Sequence, residues 1–360
     1  MYNYKKVVIK VGTNVLAKDN GRPDMTTISQ IVDEIAALKQ QGINVVLVSS
    51  GAVGAGRVIL PNVKDLSKVV QRQLLASVGQ VLLMNIYQNF LSNHGLNSAQ
   101  VLATKEDFRD RTHYLNMKQC FQALERSDIV PIVNENDVIA IDELMFTDND
   151  ELAGLIAAMI GADALFILTN VDGIFNGPPD IVGSKLIAEI DADDESIHNF
   201  ISPSRSSFGR GGMHTKLNIA QKAAQVGIAT HIINGKRTGI ISKVINGEEE
   251  GTRIVPSQNI SNVKKWMAFN EEKQKGAVTI NAGAVAVLAA KNKVCSLLPI
   301  GIVEVIGEFE KGDLIQIRSE DDLQIGMGIA QYNAAIAREY MGLQDKKPLV
   351  HYDYLLIGNY

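Results

Sequence analysis

Residues 44–57, Asn-Val-Val-Leu-Val-Ser-Ser-Gly-Ala-Val-Gly-Ala-Gly-Arg, decide the fold, because an apolar run leads directly into Ser-Ser-Gly. Such a run predicts a strand buried on both faces, as in a parallel sheet. Glycines follow at positions 51, 54 and 56 and allow backbone amides to approach a ligand closely. We interpret the stretch as an anion-binding turn at the carboxyl edge of a sheet. A tight turn with small residues for packing is the alternative.

Composition and spacing argue against several classes of function. The net charge of −5 is unlike that of dedicated nucleic-acid binders, which are usually basic. No apolar run reaches 18 residues, and a predicted strand begins near the N-terminus. We therefore expect no membrane span, no signal peptide and a cytoplasmic protein. The histidines lack metal-binding spacing, and Cys120 and Cys295 are predicted to be reduced core residues.

Strands alternate with helices through the first 255 residues, which predicts a mostly parallel sheet. A strand at 7–11, a helix at 27–41 with a capping box of Thr27 and Gln30, and a strand at 45–48 form the first βαβ unit. The mixed charges at 105–111 indicate a solvated loop. Further strands are predicted at 99–102, 129–133, 164–170 and 230–235, and further helices at 67–93, 152–160, 217–226 and 239–246.

The pattern of the sequence changes near residue 276. Residues 256–275 are polar and lysine-rich, as in a linker. Short apolar runs follow at 278–280, 284–290, 303–306, 314–317 and 326–330, and Glu-Lys-Gly-Asp at 310–313 predicts a hairpin turn between two of them. We predict a catalytic α/β domain at 1–255, a linker at 256–275 and a small β-rich domain at 276–360.

Polar and charged residues follow several predicted strands, where parallel sheets bind their ligands. Lys10 lies near the end of a buried strand and predicts a bound anion, whereas an edge strand whose amine reaches water is the alternative. Residues 134–137, Asn-Glu-Asn-Asp, and 147–150, Thr-Asp-Asn-Asp, are predicted to face a ligand. The alternatives are a capped turn for the first segment and helix-end capping for the second.

A glycine-rich loop precedes the helix predicted at 217–226. Residues 209–216, Gly-Arg-Gly-Gly-Met-His-Thr-Lys, place cations at a helix N-terminus, which favours phosphate binding over a flexible linker. The order of Thr215 and Lys216 differs from that of a P-loop. Cations and backbone N–H groups are what phosphoryl transfer requires, and an ionised carboxylate acceptor needs no general base.

Five motifs together resemble the amino acid kinase family. They are Lys10-Val11-Gly12-Thr13, Val48-Ser49-Ser50-Gly51-Ala52, Asn134-Glu135-Asn136-Asp137, Asp148-Asn149-Asp150 and Gly211-Gly212-Met213-His214-Thr215-Lys216. The resemblance runs along nearly the whole chain and is closest to the members that phosphorylate glutamate. The C-terminal part resembles the PUA domain. The resemblance implies an α/β fold, a three-layer αβα sandwich with a mostly parallel sheet, plus a small β-rich PUA-like domain.

The resemblance also implies a reaction and its residues. ATP, with Mg²⁺, would phosphorylate the γ-carboxylate of L-glutamate, the first step of proline biosynthesis. Lys10, Lys216 and the Gly51 N–H would neutralise phosphoryl oxygens, and Asp150 would orient the lysines. Glutamate would be held by Ser50, Asn134, Asp137, Asp148 and Asn149. ATP would be bound by Lys10, Thr169, Asn170, Arg210, Gly211, Gly212, Met213, His214, Thr215 and Lys216, with Mg²⁺ held by phosphate oxygens and water. Gly54 and Gly56 would serve close packing of the helix that follows Gly51.

Three positions depart from the usual family pattern and affect the expected nucleotide contacts. Asn170 stands where Asp is common, and Arg210 and His214 stand where Thr and a small residue are usual. Family membership further implies feedback inhibition by proline and a homo-oligomer, dimer or tetramer, through the kinase domain. The alternatives are a kinase for another small amino acid or carboxylate, and RNA binding through the PUA-like domain. Against RNA binding, residues 276–360 carry seven Lys and Arg and ten Asp and Glu.

Overall fold

The computed structural model describes residues 1–18, 20–140, 146, 148–177, 181, 183–200, 212–257, 262–269, 274–289 and 295–357. The chain divides into two compact units. Unit 1 comprises Met1–Phe108 and His113–Asn259, and unit 2 comprises Arg109–Thr112 and Ile260–Tyr360. Each unit has its own sheet and its own apolar core.

Unit 1 is built on an eight-stranded sheet. Its strands are Lys6–Val11 (β1), Asn44–Ser49 (β2), Ser98–Ala103 (β3), Val130–Glu135 (β4), Ala164–Thr169 (β5), Glu189–Asp191 (β6), Ala229–Asn234 (β7) and Thr252–Val255 (β8). They lie in the order β3-β4-β2-β1-β5-β7-β8-β6. Among these strands, β7 and β8 form the single antiparallel pair. The mostly parallel sheet is confirmed, and it brings the carboxyl ends of its central strands to one edge.

Helices cover both faces of this sheet. They are Thr13–Leu16 (α1), Met25–Gln40 (α2), Ala52–Ile59 (α3), Lys68–Ser92 (α4), Lys105–Arg109 (α5), Arg111–Arg126 (α6), Asn149–Ile160 (α7), Met213–Gln225 (α8) and Ile240–Ile245 (α9). Helices α2, α4 and α9 share one apolar core with β1, β2 and β5. On the other face α7 packs on β1 and β5, and α8 packs on β7. The result is a three-layer αβα sandwich, as predicted.

Side chains along β1 point alternately to the two faces of the sheet, and this determines which face Lys10 points to. Val7, Ile9 and Val11 join the core that includes α2. Because successive strand residues point to opposite faces, Lys10 faces the helix layer of α7. The burial of Lys10, which is 4% exposed, rules out the alternative of an edge strand whose amine reaches water.

Two local predictions in this unit are wrong. The N-cap of α2 is Asp24, whose side chain accepts from the N–H of Thr27, so Thr27 and Gln30 do not form the capping box. The segment 105–111 is helical rather than a loop, since it contains α5 and the start of α6. Asp107 accepts from the N–H and hydroxyl of Thr104 at 2.7 and 2.9 Å, and this bonding stabilises the first turn of α5.

Helices α3 and α4 approach each other very closely. A Cβ on Gly79 would overlap the carbonyl oxygen of Ala52, and a Cβ on Gly56 would overlap that of Leu75. The packing role predicted for Gly56 is confirmed. The same prediction for Gly54 is wrong, because a Cβ there would have Gly21 O, at 3.9 Å, as its nearest neighbour.

Helix α4 differs from the other described helices in its length and apolar character. By these two criteria it is, among the residues that the structure describes, the one helix able to cross a membrane. Its inner residues Leu83, Ile86 and Tyr87 are buried in the core of unit 1. Core helices of soluble proteins share this length and composition.

Unit 2 contains a five-stranded sheet. Its strands are Gly276–Ile280 (β9), Ile302–Gly307 (β10), Leu314–Ser319 (β11), Gln324–Ala330 (β12) and Val350–Ile357 (β13), in the order β10-β9-β11-β12-β13. Helices lie at Asn262–Phe269 (α10), Ala282–Ala289 (α11) and Ala334–Tyr340 (α12). The small β-rich domain is confirmed. Helix α10 lies within the segment interpreted as a linker and packs on β13.

Two predictions for the C-terminal region and the prediction of buried cysteines are wrong. The apolar run at 284–290 contributes to helix α11 rather than to a strand. Residues 310–313 do not close a hairpin, because β9 lies between β10 and β11. Both cysteines are free, but Cys120 is exposed and Cys295 is only partly buried, so neither is a core residue.

Candidate active site

A large cleft opens at the carboxyl edge of the sheet in unit 1, with a volume of about 1380 Å³. It is lined by most of the residues that the sequence singled out. These are Lys10, Ser50, Gly51, Asn134, Asp137, Asp148, Asn149, Asp150, Thr169, Asn170, Gly212, Met213 and Lys216. Arg210, Gly211 and Thr147 lie outside the described residues.

Two lysines and one aspartate form the floor of the cleft. Asp150, in the first turn of α7, is fully buried. Its Oδ1 lies 2.7 Å from Nζ of Lys10, and its Oδ2 lies 2.8 Å from Nζ of Lys216. One carboxylate therefore fixes two ammonium groups that come from β1 and α8.

This arrangement places two ammonium groups within salt-bridge distance of one carboxylate. Burial by itself raises the pKa of Asp150, but the ammonium groups of Lys10 and Lys216 outweigh burial and hold that pKa well below its usual range. Burial lowers the pKa of Lys216, but Asp150 outweighs it and raises that pKa overall. The pKa of Lys10 is lowered by burial. A floor with two lysines against one carboxylate is suited to bind phosphate.

Asp148 caps helix α7 and also lines the cleft. Its Oδ1 accepts from the N–H groups of Asp150 and Glu151 at 2.9 and 3.2 Å. Its Oδ2 is buried and has no hydrogen-bond partner among the residues that the structure describes. Burial, together with the neighbouring Asp150, raises the pKa of Asp148 to about 6. Capping thus uses one oxygen and leaves the other for a cationic or N–H ligand.

A cluster of amides and a hydroxyl lies beside the floor. Nδ2 of Asn149 donates to Ser50 Oγ at 2.9 Å and to Oδ1 of Asn134 at 3.0 Å. Because Ser50 Oγ accepts this bond, its own hydroxyl hydrogen remains for an acceptor in the cleft. The next residue, Gly51, has φ +105, a conformation that strongly favours glycine.

Arg72 also lines the cleft, although sequence reasoning did not select it, and Glu135 lies there within the segment 134–137 that was predicted to face a ligand. The Arg72 guanidinium contacts Asp137 and pairs with Glu135 at 2.8 Å. Burial raises the pKa of Glu135 to about 6 and also raises that of Asp137. A single arginine within the mostly apolar sequence of α4 was the available signal, but nothing in the sequence links it to the segment at 134–137.

Helix α8 begins earlier in the sequence than predicted. The helix begins at Met213, so Lys216 lies in its first turns rather than ahead of it. Thr215 Oγ1 accepts from the N–H of Gly212 at 3.0 Å and caps the helix. The His214 ring stacks on His198 with ring centroids 6.0 Å apart. Neither Thr215 nor His214 lines the cleft, and their contact with nucleotide stays a prediction.

The amino acid kinase family model matches residues 5–234, and the PUA domain model matches residues 276–351. The chain belongs to the amino acid kinase family. The family match spans β1 to β7 and therefore contains every described residue of the predicted site.

Known amino acid kinases resemble the chain over nearly its full length. The protein named glutamate 5-kinase of Chlorobaculum tepidum is 48% identical and covers 98% of both chains. That of Bacteroides thetaiotaomicron is 47% identical, over 98% of this chain and 99% of its own. The solved isopentenyl phosphate kinase of T. acidophilum covers 69% of this chain and 99% of its own, with a TM-score of 0.50 and 16% identity, which supports the fold.

The cleft combines two lysines that can hold phosphates with a carboxylate oxygen, Oδ2 of Asp148, that has no described hydrogen-bond partner. Kinases of the family use ATP as co-substrate. No group of three or more His, Cys, Asp and Glu side chains suited to a metal occurs in the described part of the chain. A Mg²⁺ ion bound with the nucleotide would be held by phosphate oxygens and water, which are the oxygen ligands that it prefers.

Proposed function

We propose that this amino acid kinase transfers the γ-phosphoryl group of ATP to the γ-carboxylate of L-glutamate. The products are L-glutamyl 5-phosphate and ADP, in the first step of proline biosynthesis. The observation that carries the proposal is the Asp150 carboxylate holding Lys10 and Lys216 beside a cluster of acidic and amide groups. The name shared by the relatives that match 98% of the chain supports glutamate as the acceptor.

The lysines act on the transferred group. A γ-carboxylate oxygen of glutamate attacks the γ-phosphorus, the bond from phosphorus to the bridging oxygen of ADP breaks, and ADP leaves with the electron pair. Lys10, Lys216 and the Gly51 N–H offset the negative charge on the phosphoryl oxygens in the transition state. Asp150 orients both lysines and does not itself react. The acceptor is already ionised at neutral pH, so no residue needs to remove a proton.

Glutamate occupies the polar side of the cleft. The hydroxyl of Ser50 donates to its acceptor carboxylate, close to Gly51. The carboxylates of Asp137 and Asp148 meet its ammonium group, and the amides of Asn134 and Asn149 complete the contacts. The unpaired buried oxygen of Asp148 supports this orientation, since a ligand N–H would satisfy it.

ATP occupies the side of the cleft formed by β5 and α8. Thr169, Asn170, Gly212 and Met213 line this side, and Lys10 and Lys216 reach the phosphates. Arg210, Gly211, His214 and Thr215 complete the set of nucleotide residues expected from the family resemblance. Mg²⁺ accompanies the nucleotide and neutralises its phosphates when bound.

Family membership supports further parts of the proposal. We propose a catalytic domain at 1–255, a linker at 256–275 and a PUA-like domain at 276–360. Inhibition by proline, assembly as a dimer or tetramer through the kinase domain, and a cytoplasmic location complete it. We propose no nucleic-acid partner, given the acidic balance of residues 276–360.

ADP release measured with a panel of acceptors tests the function. Glutamate, aspartate and N-acetylglutamate are supplied in turn with MgATP, and hydroxylamine is added to trap an acyl phosphate as its hydroxamate. We expect ADP and hydroxamate in equal amounts with glutamate alone. Turnover with aspartate or N-acetylglutamate and none with glutamate would show that the acceptor is a different carboxylate.

A further inference from the structure

The amide cluster of the cleft continues one residue deeper, to Gln80 on α4. Oε1 of Gln80 accepts a hydrogen bond from Nδ2 of Asn134 at 2.9 Å. Gln80 is 7% exposed and Asn134 is 3% exposed, so the bond is shielded from water. Gln80 does not line the cleft and therefore acts on a ligand only through its neighbours.

The hydrogen bonds around Asn134 determine how both amides must point. Oδ1 of Asn134 accepts from Nδ2 of Asn149 at 3.0 Å and from the N–H of Glu135 at 2.9 Å. Asn134 must therefore present its NH₂ group to Gln80. Gln80 must present its carbonyl oxygen in return, since two NH₂ groups facing each other leave both without an acceptor.

The orientation of these amides also affects Ser50. Nδ2 of Asn149 donates to Asn134 and also to Ser50 Oγ. If Asn134 turned its amide over, two NH₂ groups would meet and Asn149 would lose its acceptor on Asn134. Its bond to Ser50 would then no longer be fixed, and the Ser50 hydroxyl would no longer be directed into the cleft. The carbonyl of Gln80, together with the N–H of Glu135, opposes this turn.

The NH₂ group of the Gln80 side chain lowers the stability of the fold. Its Nε2 is buried and has no hydrogen-bond partner among the described residues. A buried NH₂ group without an acceptor lowers stability, and an apolar side chain of similar shape would avoid this penalty. Stability alone therefore does not explain a glutamine here, whereas the acceptor that it offers to Asn134 does.

We propose that Gln80 is a positioning residue for glutamate, which keeps Asn134, Asn149 and Ser50 in the one hydrogen-bonded order that binds the substrate. The inference rests on the proposed function, because glutamate is the ligand that these three residues are proposed to hold. Gln80 differs from them in having no contact with the substrate.

Steady-state kinetics of Gln80→Met in the full-length protein test this role. Methionine preserves the length of the side chain and removes the acceptor. We expect kcat/KM for glutamate to fall about tenfold or more, while KM for ATP stays within about twofold. The reason is that only the glutamate side of the cleft depends on the hydrogen bonds that link Gln80 to Ser50 through the two asparagines. Gln80→Glu retains an acceptor oxygen and should restore kcat/KM to within about threefold of the unmodified protein.

Gln88→Met is the matched control. Gln88 lies on the same helix, and its Oε1 accepts from the N–H and hydroxyl of Ser98 at 2.8 and 2.7 Å, away from the cleft. Its replacement should lower the Tm without changing KM for glutamate. A purely structural role for Gln80 would make the two methionine variants behave alike, and would contradict the proposal.

Two further results decide the remaining cases. If Gln80→Met does not fold, a tenfold loss of kcat/KM for glutamate in soluble Gln80→Glu overturns the acceptor role, and unchanged kinetics support it. If the unmodified protein shows no glutamate-dependent ADP release, the proposed function fails and this inference fails with it. If the unmodified protein is active and folded Gln80→Met matches it, only the positioning role is wrong.

Discussion

Lys10 is held in place by Asp150 and has no other described acidic partner within salt-bridge distance. Its ammonium therefore has a fixed position in the cleft, which suits the contact with phosphate that we propose. We expect Lys10→Ala to lower kcat by about 100-fold or more and to raise KM for glutamate far less, because the lysine acts on charge that develops in the transition state.

Lys6→Ala is the control for this substitution. Lys6 lies on the same strand but pairs with Glu125 at 2.9 Å, outside the cleft. Initial-rate kinetics of both variants with ATP and glutamate varied separately make the comparison. An unchanged kcat in Lys10→Ala, or equal losses in the two variants, would contradict the catalytic role.

The buried carboxylates of the cleft predict a dependence on pH. The pKa values of Asp148 and Glu135 are both raised to about 6, chiefly by burial. A raised pKa means that these groups lose their charge as pH falls through about 6, at a higher pH than exposed carboxylates do. We expect kcat/KM for glutamate to decline below pH 6, since Asp148 then loses its charge toward the substrate ammonium and Glu135 loses its charge toward Arg72. Asp148→Asn should have a lower kcat/KM and a weaker decline, whereas a flat profile in the unmodified protein down to pH 5 would exclude this account.

Residues near strand ends and helix starts could be selected from the sequence, and residues in the middle of a long helix could not. Lys10, Ser50, Asn134 and Asp150 each follow an apolar run or precede a helix, and parallel strands bring such positions together. Arg72 and Gln80 lie within α4, where periodicity identifies the buried face but not which strand end it meets. Their partners at 134–137 are more than fifty residues away in sequence.

At the scale of elements, the close packing of α3 against α4 depends on the absence of a side chain at Gly79. A methyl group there would overlap the backbone of Ala52, and backbone cannot move aside as a flexible side chain does. We expect Gly79→Ala to lower the free energy of unfolding by about 3 kcal/mol, although alanine favours helix formation. Ser77→Ala, at an exposed position of the same helix, is the control and should be nearly neutral. Denaturant unfolding of both variants makes the measurement, and equal stability would contradict the close approach.

Helices and strands could be predicted where the spacing of apolar residues followed a single period and the flanking residues were typical of the same element. The six-residue strands of unit 1 are rich in apolar residues, and all of them were found. The helix α11 was missed because its alanine and valine residues are as apolar as those of a strand. Helix α5 was missed because its charged residues were interpreted as a solvated loop. The hydrogen bonds from Thr104 to Asp107 that stabilise its first turn were not foreseen.

At the scale of the whole molecule, all described residues of the proposed site belong to unit 1. We expect a chain that ends at Asn259 to retain kcat within about threefold, because a unit with its own core and its own site can function separately. The ADP-release assay on the truncated and full-length proteins makes the comparison, with circular dichroism to establish folding. A folded but inactive truncated protein would show that unit 2 contributes to catalysis.

The most direct test of the central claim is a crystal structure with glutamate and a non-hydrolysable ATP analogue. We predict that a γ-carboxylate oxygen of glutamate lies about 3–3.5 Å from the γ-phosphorus, in line with the leaving oxygen. Lys10 and Lys216 should contact the γ-phosphate while Asp150 remains between them. Glutamate bound away from Ser50 and Asp137, or a γ-phosphate out of reach of both lysines, would contradict the account.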